Sequence, residues 1–586
     1  MTLERNSKLI NKKFIQYLIP SILMIFAMQF GSLIDGILVG NMIGNDALSA
    51  TALVVPILYV IQLPGFALGI GGSIVIANFL GKRDLVSAKK AFSISLIIGT
   101  GISLLFTIIA FPVSKPLASL FSIDLLDYSY QYILGYLLTD PFIALALMLG
   151  SFMAVDNNPR LSSALFIVSN IAKVGLEVLF IYTFKSWATF GAAISTGVGY
   201  LVGLLTVILY VRSSKRNLTF SFNIKGSGFK GIVRSSSTTA LNMALTAIQS
   251  IIVNIFIGRL ITEPIELITF GLVANMVFLF DLACGGIINI IPTICGIFYG
   301  EKDFYSLKKL TRKIFFINVG VTAVLTAIIA VFPNFYSLIF GYPNPTNPDY
   351  TFRILRLYLI SFIPYEISKF SMEYYPSIEK NLPSLVTVLL RELIIVLPVT
   401  LGLLFTMGLE GYVLACAITE ITTVIITYAF ILIYEKVKKK NCHGIFMFEK
   451  EDYKTFDVSI TNELDNASII SEQLSKFALE NGVPNRESQI VGLACEEMVD
   501  NIVEFGYKKE KRNYIDVSLK INNDLLLLRV RDDGVPFDPT KSQKEENEEY
   551  STNGIELISK MVTKMSYMRV LSLNNTVFEI SLGGNN

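Results

Sequence analysis

Long apolar segments separated by short polar loops occupy the first 434 residues of the chain. A helix that crosses a membrane needs about 20 predominantly apolar residues. Twelve segments reach this length, at residues 14–40, 51–80, 91–112, 131–154, 161–184, 190–211, 234–259, 268–299, 314–334, 353–376, 384–407 and 409–434. After residue 434 the pattern changes to mixed soluble sequence. The chain is therefore predicted to be multi-domain, with an all-α membrane domain of twelve transmembrane helices at 1–434, a linker at 435–455 and a soluble domain at 456–586.

The two halves of the membrane domain resemble each other. The sequence GKRDLVSAKK at 81–90 returns as GEKDFYSLKK at 300–309, each time directly after an apolar run. A second set of matched positions has nearly the same offset: Pro141, Asp156 and Asn158 correspond to Pro364, Glu379 and Asn381. This duplication predicts two six-helix repeats, at about 10–211 and 234–434. Secondary transporters often have such repeats, with the substrate site between them.

Charge and composition place this domain in a membrane and orient it. Hydrophobic residues make up 52% of the chain and charged residues 16%, and the mean hydropathy is +0.57. Loops rich in lysine and arginine alternate with loops that have almost none, so we expect a multi-pass protein of the cell membrane with both termini in the cytoplasm.

Five scattered cysteines without a CxxC pair, and a single histidine (His443), do not fit metal-site spacing. The net charge of +2 and the lack of a basic stripe give no indication of a nucleic-acid partner.

Ionisable side chains inside the spans are candidates for function, because each costs about 2.5–3.5 kcal/mol to insert at the membrane centre. They are Asp35 in span 1, Asp140 at the start of span 4, Lys173 with Glu177 in span 5, Glu366 with Glu373 in span 10, and Arg391 with Glu392 in span 11. Gln29, before Asp35, has a counterpart in the second repeat, where Gln249 precedes Asn254. One interpretation is a water-filled cavity in which carboxylates exchange H⁺ or Na⁺ for a cationic substrate. The alternative is structural pairing, of Lys173 with Glu177 or of Arg391 with a carboxylate.

Five segments resemble the multidrug and toxin extrusion (MATE) family. They are SLIDGILVGNMIGNDALSA at 32–50, GIGGS at 69–73 followed by Gly81, DNNPR at 156–160, EVLFI at 177–181 and RELIIVLP at 391–398. The resemblance covers residues 10–435 and implies export of organic cations or drugs, driven by inward H⁺ or Na⁺ flow through an alternating-access cleft. The candidate transport residues are then Gln29, Asp35, Asp140, Lys173, Glu177, Asn254, Glu366, Glu373 and Arg391.

Span 5 departs from the family pattern. The usual Asn-x-x-x-Asp is replaced by Lys173-x-x-x-Glu177. A lysine there can act as an internal counter-charge that weakens cation coupling, or it can favour an anionic substrate. A neighbouring branch of the superfamily moves lipid-linked sugars, so a lipid-linked glycan flippase is an alternative function.

Beyond residue 455 the pattern predicts an α+β sandwich, with helices on one face of an antiparallel sheet. Strands are expected at 456–460, 513–521 and 524–531, helices near 466–481 and 487–505, and a further helix from about 553 followed by two strands. A polar, acidic loop at 538–550 precedes that last helix.

Three motifs of the soluble domain carry chemistry. Glu497 and Asn501 lie four residues apart and so share one helix face, where a carboxylate can orient water or a hydroxyl and an amide oxygen can bind Mg²⁺. The sequence DDGVPFD at 532–538 closes a strand in a tight turn, where an acid can accept a hydrogen bond from an exocyclic amine. The sequence TNG at 552–554 begins a helix whose N-terminal amides suit a phosphate chain.

In order and spacing these motifs resemble the nucleotide-binding boxes of the GHKL ATPase superfamily, and DDGVPFDP at 532–539 is similar to the anti-sigma-factor serine kinases. The resemblance implies ATP with Mg²⁺ as the cofactor. It assigns Glu497 as general base, Asn501 as Mg²⁺ ligand, Asp532 as the acid that binds adenine, Gly534, Asn553 and Gly554 beside the nucleotide, and Thr576 in support of the adenine site. The chain departs from the family pattern at two positions: Phe505 replaces a basic residue and Thr552 replaces a glycine. The resemblance therefore does not decide whether the domain turns over ATP.

Three hypotheses cover the whole chain. The first is an ion-coupled antiporter that exports organic cations, with a cytoplasmic ATP-binding regulatory domain. The second is a signalling protein whose membrane half senses a ligand and whose soluble domain, as a serine/threonine kinase or ATPase, acts on a cytosolic protein. The third is the flippase. A single nucleotide domain and no Walker A lysine loop argue against ATP as the direct fuel of transport.

Overall fold

The computed structural model describes residues 5–119, 125–223, 225–226, 228–261, 263–340, 342, 345–438, 442–449, 453–507, 512–522, 524–541 and 552–582, without the side chains of 438, 442, 443, 552 and 553. The first lobe of the membrane half contains α1 (Lys8–Met42), α2 (Asn45–Gly81), α3 (Leu85–Ser119), α4 (Leu126–Val155), α5 (Pro159–Phe184), α6 (Ala188–Gly203) and α7 (Thr206–Val211). The second lobe contains α8 (Phe229–Leu260), α9 (Pro264–Asn289), α10 (Ile291–Gly300), α11 (Phe304–Val331), α12 (Pro333–Ile339), α13 (Pro348–Leu359), α14 (Phe362–Ser377), α15 (Asn381–Leu389) and α16 (Val396–Lys438).

The helices account for the twelve predicted spans. Among the described residues, nine stretches are long and apolar enough to cross a membrane. Two of them, Pro159–Val211 and Asn381–Val437, have 53 and 57 residues and so provide two crossings each. In the second of these, Gly408 has a φ of 59° and separates spans 11 and 12. The remaining span consists of α13 and α14, which contain more charged residues than the other spans and are therefore less apolar.

The two repeats share unusual backbone positions. Arg83 and Lys302, with φ of 61° and 56°, occupy matched places in the duplicated loop. Asn157 and Glu379, with φ of 61° and 59°, lie within one residue of matched places, because Glu379 corresponds to Asp156. Left-handed backbone is uncommon for residues other than glycine. The repetition of two such positions therefore supports a duplication of structure as well as sequence.

The lobes contact each other in the half of the membrane domain nearest the soluble domain. An added Cβ at Gly71 would collide with the backbone of Ser236, and one at Gly300 would collide with the backbone of Asn78. Glycine at these positions lets α2 approach α8 and α10 closely. Elsewhere between the lobes, a cavity is lined by Gln29 and Ile70 of the first lobe and Asp281 of the second.

The soluble domain, called the tail below, is built on a five-stranded antiparallel sheet in the order β3-β4-β5-β7-β6. A short hairpin of β1 (Cys442–His443) and β2 (Phe448–Glu449) precedes it. The elements are β3 (Lys454–Thr461), α17 (Asp465–Glu480), α18 (Asn485–Phe505), β4 (Tyr514–Ile521), β5 (Leu525–Asp532), α19 (Thr552–Met561), β6 (Lys564–Val570) and β7 (Leu573–Ser581). The predicted α+β architecture and its element order are confirmed.

The two faces of this sheet have different partners. Apolar residues such as Val517, Leu528 and Phe578 pack against the helices and form the tail's core. Because side chains alternate along a strand, the intervening polar residues, including Arg529 and Arg531, point to the opposite face. That face lies against the membrane half instead of facing solvent.

Candidate functional site

A buried charge cluster lies within the first lobe, between α1, α4 and α5. Lys173 Nζ lies 3.5 Å from Asp35 Oδ1, and the Tyr132 hydroxyl donates to Asp35 Oδ2 at 3.0 Å. Glu177, one turn after Lys173, is fully buried, and neither of its carboxyl oxygens accepts a hydrogen bond from the described residues. The structural alternative, a pairing of Lys173 with Glu177, is therefore not found, because Lys173 pairs with Asp35 instead.

Asp140 belongs to a different part of the first lobe. It lies near the middle of α4, and the prediction that it begins span 4 is wrong. The chain turns into α4 at Leu126, well before this aspartate. Asp140 is buried and accepts a hydrogen bond from the Ser103 hydroxyl of α3.

The second lobe contains a cavity of about 420 Å³ between α8, α9, α14 and α16. Its lining combines four acidic side chains, two basic side chains and five aromatic rings. The charged residues are Asp281, Glu373, Glu392, Glu420, Lys369 and Arg391, and the aromatic residues are Tyr59, Tyr358, Phe362, Tyr365 and Tyr412. With every group ionised, the lining has an excess of two negative charges.

The basic residues of this cavity are held by the acids around them. Lys369 Nζ lies 2.5 Å from Asp281 Oδ1. Arg391 pairs with Glu420 at 2.7 Å and with Glu392 at 2.9 Å. Its guanidinium carbon also lies 4.6 Å from the centroid of the Tyr365 ring. The predicted pairing of Arg391 with a carboxylate is thus confirmed in geometry.

A short π-helix, Leu390–Ile394, brings Arg391 and Glu392 into the cavity. A π-helical turn inserts an extra residue and rotates the following side chains, and such turns are frequent at functional sites. Here the turn joins α15 to α16 and directs Arg391 to Glu420 of α16, while Glu392 accepts a hydrogen bond of 3.0 Å from Thr246 of α8.

Of the other predicted transport residues, two line a cavity and two do not. Gln29 and Glu373 line a smaller cavity of about 190 Å³, which shares Asp281 and Lys369 with the larger one. Glu366 is fully buried away from both cavities and accepts a hydrogen bond of 3.2 Å from Asn318. Asn254 is exposed and lies outside both linings.

Sequence reasoning missed three charged residues of the cavity, Asp281, Lys369 and Glu420. The rule that selected the others, an ionisable residue within a span, applies equally to these three. Asp281 lies in span 8, Lys369 in span 10 and Glu420 in span 12.

In the tail, Glu497 and Asn501 share one face of α18 as predicted. Asn501 Nδ2 donates to Glu497 Oε1 at 3.0 Å, and its Oδ1 is buried without a described hydrogen-bond partner. Asp532, at the end of β5, is buried and accepts hydrogen bonds from the Gly534 N–H at 2.7 Å and from Asn574 at 2.8 Å. Burial raises the pKa of the Asp532 carboxyl to about 6, although these hydrogen bonds act to lower it.

The space between these residues is nearly closed. The cavity that contains Asn501 and Asp532 measures about 10 Å³, with Val535 and Phe537 in its lining. An added Cβ at Gly554, in α19, would collide with the Glu497 carboxylate, so this helix start lies directly on the predicted general base. Thr576 is fully buried, and its hydroxyl has no hydrogen-bond partner among the described residues. The side chain of Asn553 lies outside the described residues.

The polar face of the tail sheet binds the second lobe through a buried ion cluster. Arg531 is 1% exposed and pairs with Glu301 and, at 2.8 Å, with Asp303. Asp303 also accepts hydrogen bonds of 3.1 and 2.9 Å from Arg5, and Glu301 accepts one of 2.7 Å from Asn575. Although burial acts to raise it, these arginines hold the pKa of Asp303 well below its usual range.

The same sheet contacts the first lobe through its strand ends. The Ser572 N–H donates to Asn157 Oδ1 at 2.8 Å, and Asn157 Nδ2 donates to the Arg569 carbonyl at 2.8 Å. Asp533 pairs with Lys12 at 2.6 Å and with Lys13 at 3.5 Å. The tail is therefore bound to both lobes at once.

Two known domain families match different parts of the chain. The MatE family matches residues 20–179 and 239–400, one match in each lobe. The histidine kinase-like ATPase domain matches residues 460–578, within the tail.

Curated relatives align with the membrane half. The multidrug export protein MepA of Staphylococcus haemolyticus is 25% identical over 323 residues, which is 52% of this chain and 69% of that protein. The probable multidrug resistance protein YoeA of Bacillus subtilis is 22% identical over 337 residues, which is 54% of this chain and 70% of that protein.

Solved structures share the fold of the membrane half. An outward-facing multidrug resistance MATE family transporter of the MOP superfamily superposes with a TM-score of 0.66 at 19% identity, covering 73% of this chain and 96% of that one. A MOP superfamily transporter from Pyrococcus furiosus gives a TM-score of 0.65 at 19% identity over the same shares of each chain.

Proposed function

Because this chain belongs to the MatE family, we propose that it is an H⁺- or Na⁺-coupled antiporter that exports organic cations and whose ATP-binding tail regulates transport. The domain limits that we propose are 1–434 for the transporter, 435–455 for the linker and 456–586 for the tail. The observation that carries the proposal is the acidic, aromatic cavity of the second lobe.

This cavity has the chemistry of a site for an organic cation. Its excess of two negative charges attracts a positive ligand, and its five aromatic rings can contact the ligand's apolar parts and its charge. A volume of about 420 Å³ falls within the range of small-molecule pockets. The two basic residues are held by neighbouring acids, so they do not reverse the sign of the site.

The first-lobe cluster supports coupling to a small cation. Asp35 and Glu177 bring two negative charges against the single positive charge of Lys173. Binding one H⁺ or Na⁺ would balance this buried group, and ionisable residues inside spans commonly mark ion pathways. Lys173 therefore neutralises one acid and leaves the other available to the coupling ion.

The orientation that we propose places the tail in the cytoplasm. Twelve spans return the chain to its starting side, so the N-terminus and the tail lie together, as their contacts require. The duplicated basic loops at 81–90 and 300–309 lie on that same side, where the positive-inside rule expects them.

Regulation by the tail follows from its contacts with both lobes. Alternating access needs the two lobes to move relative to each other, and a rigid domain bound to both opposes that movement. The first-lobe contact of Asp533 with Lys12 and Lys13 lies one residue from Asp532, the proposed adenine ligand. A nucleotide at Asp532 is thus positioned to change this contact.

The tail's residues fit ATP in their chemistry. Asp532 would accept a hydrogen bond from the adenine amine, Asn501 Oδ1 would bind Mg²⁺, and Thr576 would support the adenine site. Mg²⁺ would supply charge to the phosphates when bound. Because the cavity measures only about 10 Å³, binding requires Val535 and Phe537 to move out of it and α19 to move away from Glu497.

Phosphorylation of a cytosolic protein by the tail is the second candidate function. It is favoured by the Glu497–Asn501 pair, which keeps a carboxylate next to an amide ligand for Mg²⁺. Incubation of the full-length protein with labelled ATP and cytosol tests it, and the absence of a labelled product despite nucleotide binding would exclude it.

The main test is efflux of a fluorescent organic cation from proteoliposomes under an imposed H⁺ or Na⁺ gradient, with and without ATP on the tail side. We expect gradient-driven efflux that Asp35→Asn and Asp281→Asn reduce at least tenfold. The control is Asp127→Asn, an exposed acid at the start of α4, which should transport normally. Efflux that is independent of both gradients would refute ion coupling, and efflux unchanged by ATP would refute regulation.

A further inference from the structure

A second cavity lies where the two lobes meet the tail, on the sheet face opposite the proposed nucleotide site. It measures about 290 Å³ and is bounded by the duplicated loops and by the polar face of β4, β5 and β7. From the loops come Gly81, Lys82, Arg83, Gly300, Glu301 and Lys302. We call this space the junction cavity.

The junction cavity has a strong excess of basic side chains. Five of them, Lys82, Arg83, Lys302, Lys520 and Arg529, line it, against two acids, Glu301 and Glu579. Of the acids, Glu301 is already paired with Arg531 on the sheet. Among the bases, Lys82 pairs with Glu379 outside the lining at 2.8 Å. Counted by its own side chains, the lining has three more basic than acidic residues.

Two buried nitrogens in this lining have no acceptor. Arg83 Nη1 and Arg529 Nε are both buried without a hydrogen-bond partner among the described residues. A buried donor left without an acceptor costs about 1–3 kcal/mol, so such groups are rare in folded proteins. Burial lowers the pKa of Arg529 to about 10, and it also lowers that of Arg83. Arg529 Nη1 lies 3.7 Å from Asp303 Oδ2, an oxygen that Arg5 and Arg531 already share, and Arg83 forms no ion pair among the described residues. Neither guanidinium group therefore has a carboxylate of its own.

Backbone carbonyl groups of the second-lobe loop hold other donors of the lining in place. Arg529 Nη2 donates to the Glu301 carbonyl at 2.7 Å, and Lys520 Nζ donates to the Lys302 carbonyl at 2.9 Å. These bonds fix the tail's basic side chains at the rim of the second-lobe loop. Arg83 approaches from the first-lobe loop with left-handed backbone, a conformation that is often retained at functional sites.

We propose that the junction cavity binds a small phosphate-bearing anion that contacts both lobes and the tail at once. Guanidinium and ammonium donors that converge from three directions match the oxygens of a phosphate group. The ligand can be a soluble phosphate compound or the headgroup of an anionic lipid, since both present the same group.

Occupancy of this site would hold the lobes together on the tail side. Gly81 of the first lobe lies against Ile297 of the second, and Gly300 of the second lies against Asn78 of the first. Both contacts would have to separate for the cleft to open toward the tail. A bound anion that bridges Arg83, Arg529 and the loop of Lys302 would oppose that separation.

The test is thermal unfolding of the full-length protein with inorganic pyrophosphate, in EDTA so that Mg²⁺-dependent binding in the tail is excluded. We expect pyrophosphate to raise the Tm by about 2 °C or more at saturation. Arg83→Gln should abolish this rise, and it should raise the Tm of the ligand-free protein because it removes an uncompensated buried charge. Arg212→Gln, which removes an exposed arginine, should respond to pyrophosphate as the parent does.

A second arm distinguishes the two sources of phosphate. The same variants are compared in phosphatidylcholine vesicles with and without phosphatidylglycerol. Stabilisation by the anionic lipid alone, lost in Arg83→Gln, identifies a headgroup site and supports the proposal. If neither probe stabilises the parent, or if Arg83→Gln and the parent respond equally to both probes, the proposal is wrong. Neither outcome depends on transport or on ATP binding.

Discussion

Removal of the Glu301 charge should release the tail from the membrane half. Arg531 is among the largest fully buried side chains of the protein, and Glu301 is one of its two acidic partners. Glu301→Gln keeps the side chain's size but leaves part of the Arg531 charge uncompensated. Breaking a buried pair by removing one partner typically costs about 3–5 kcal/mol. Since about 1.4 kcal/mol is a tenfold change, the ratio of docked to undocked tail should fall roughly 150- to 5,000-fold.

The assay is the rate of maleimide labelling at Ser518→Cys. Ser518 is 6% exposed on the sheet face that contacts the membrane half, so it can react only when the tail undocks. The matched control is Glu556→Gln, which breaks an exposed pair with Lys560 on α19. Exposed pairs contribute about 0–1 kcal/mol, so labelling should change little in the control. Equal labelling rates in Glu301→Gln and in the control would refute the view that buried charge holds the tail.

Three further predictions concern the tail's acid, the interlobe contact and the cavity. Asp532→Asn keeps an oxygen that can accept both hydrogen bonds and removes a buried charge, so at pH 7.5 it should stabilise the protein by about 2–3 kcal/mol in thermal unfolding. Because the pKa of Asp532 is raised in the folded protein, this gain in stability should disappear toward pH 4. The ATP affinity of Asp532→Asn, measured by calorimetry, should fall at least tenfold. Gly71→Val should separate α2 from Ser236 and reduce efflux, whereas Gly101→Val, where an added Cβ meets no atom within 4 Å, should not. Arg391→Gln removes the positive charge that neutralises two acids of the cavity. Equilibrium binding of an organic cation should therefore tighten at least threefold, while the transport turnover falls. An unchanged binding affinity would contradict the charge argument.

The sequence was sufficient for the architecture because the signals for it are local. Span length, loop charge and the alternation of apolar residues in the tail each depend on neighbouring positions. Pairing inside the membrane is not local. Lys173 lies one turn from Glu177 yet contacts Asp35, which is 138 positions away in the chain and reaches it only because α1 packs on α5.

The tail's docked face shows a second limit of sequence reasoning. Arg529 and Arg531 alternate with Leu528 and Val530, a pattern that normally indicates a strand with one solvated face. The same alternation also fits a strand whose polar face is buried against another domain. Whether that face is exposed or buried depends on the residues of the domain that contacts it. Here the partner's contribution is Glu301 and Asp303, which the sequence shows as ordinary loop acids.

The duplicated loops explain which lobe the tail follows. In the first repeat, Asp84 caps its own helix through a hydrogen bond of 2.9 Å from the Ser87 N–H, and it forms no ion pair with the described residues. Its counterpart Asp303 caps α11 in the same way and, in addition, binds Arg5 and Arg531. Arg531 of the tail therefore has two fully buried acidic partners in the second lobe, whereas Asp533 pairs with the first lobe through Lys12, whose side chain is 59% exposed, and through the buried Lys13 at the longer distance of 3.5 Å. When the lobes move, the tail should stay on the second lobe and separate from the first, at the contact next to the proposed adenine site.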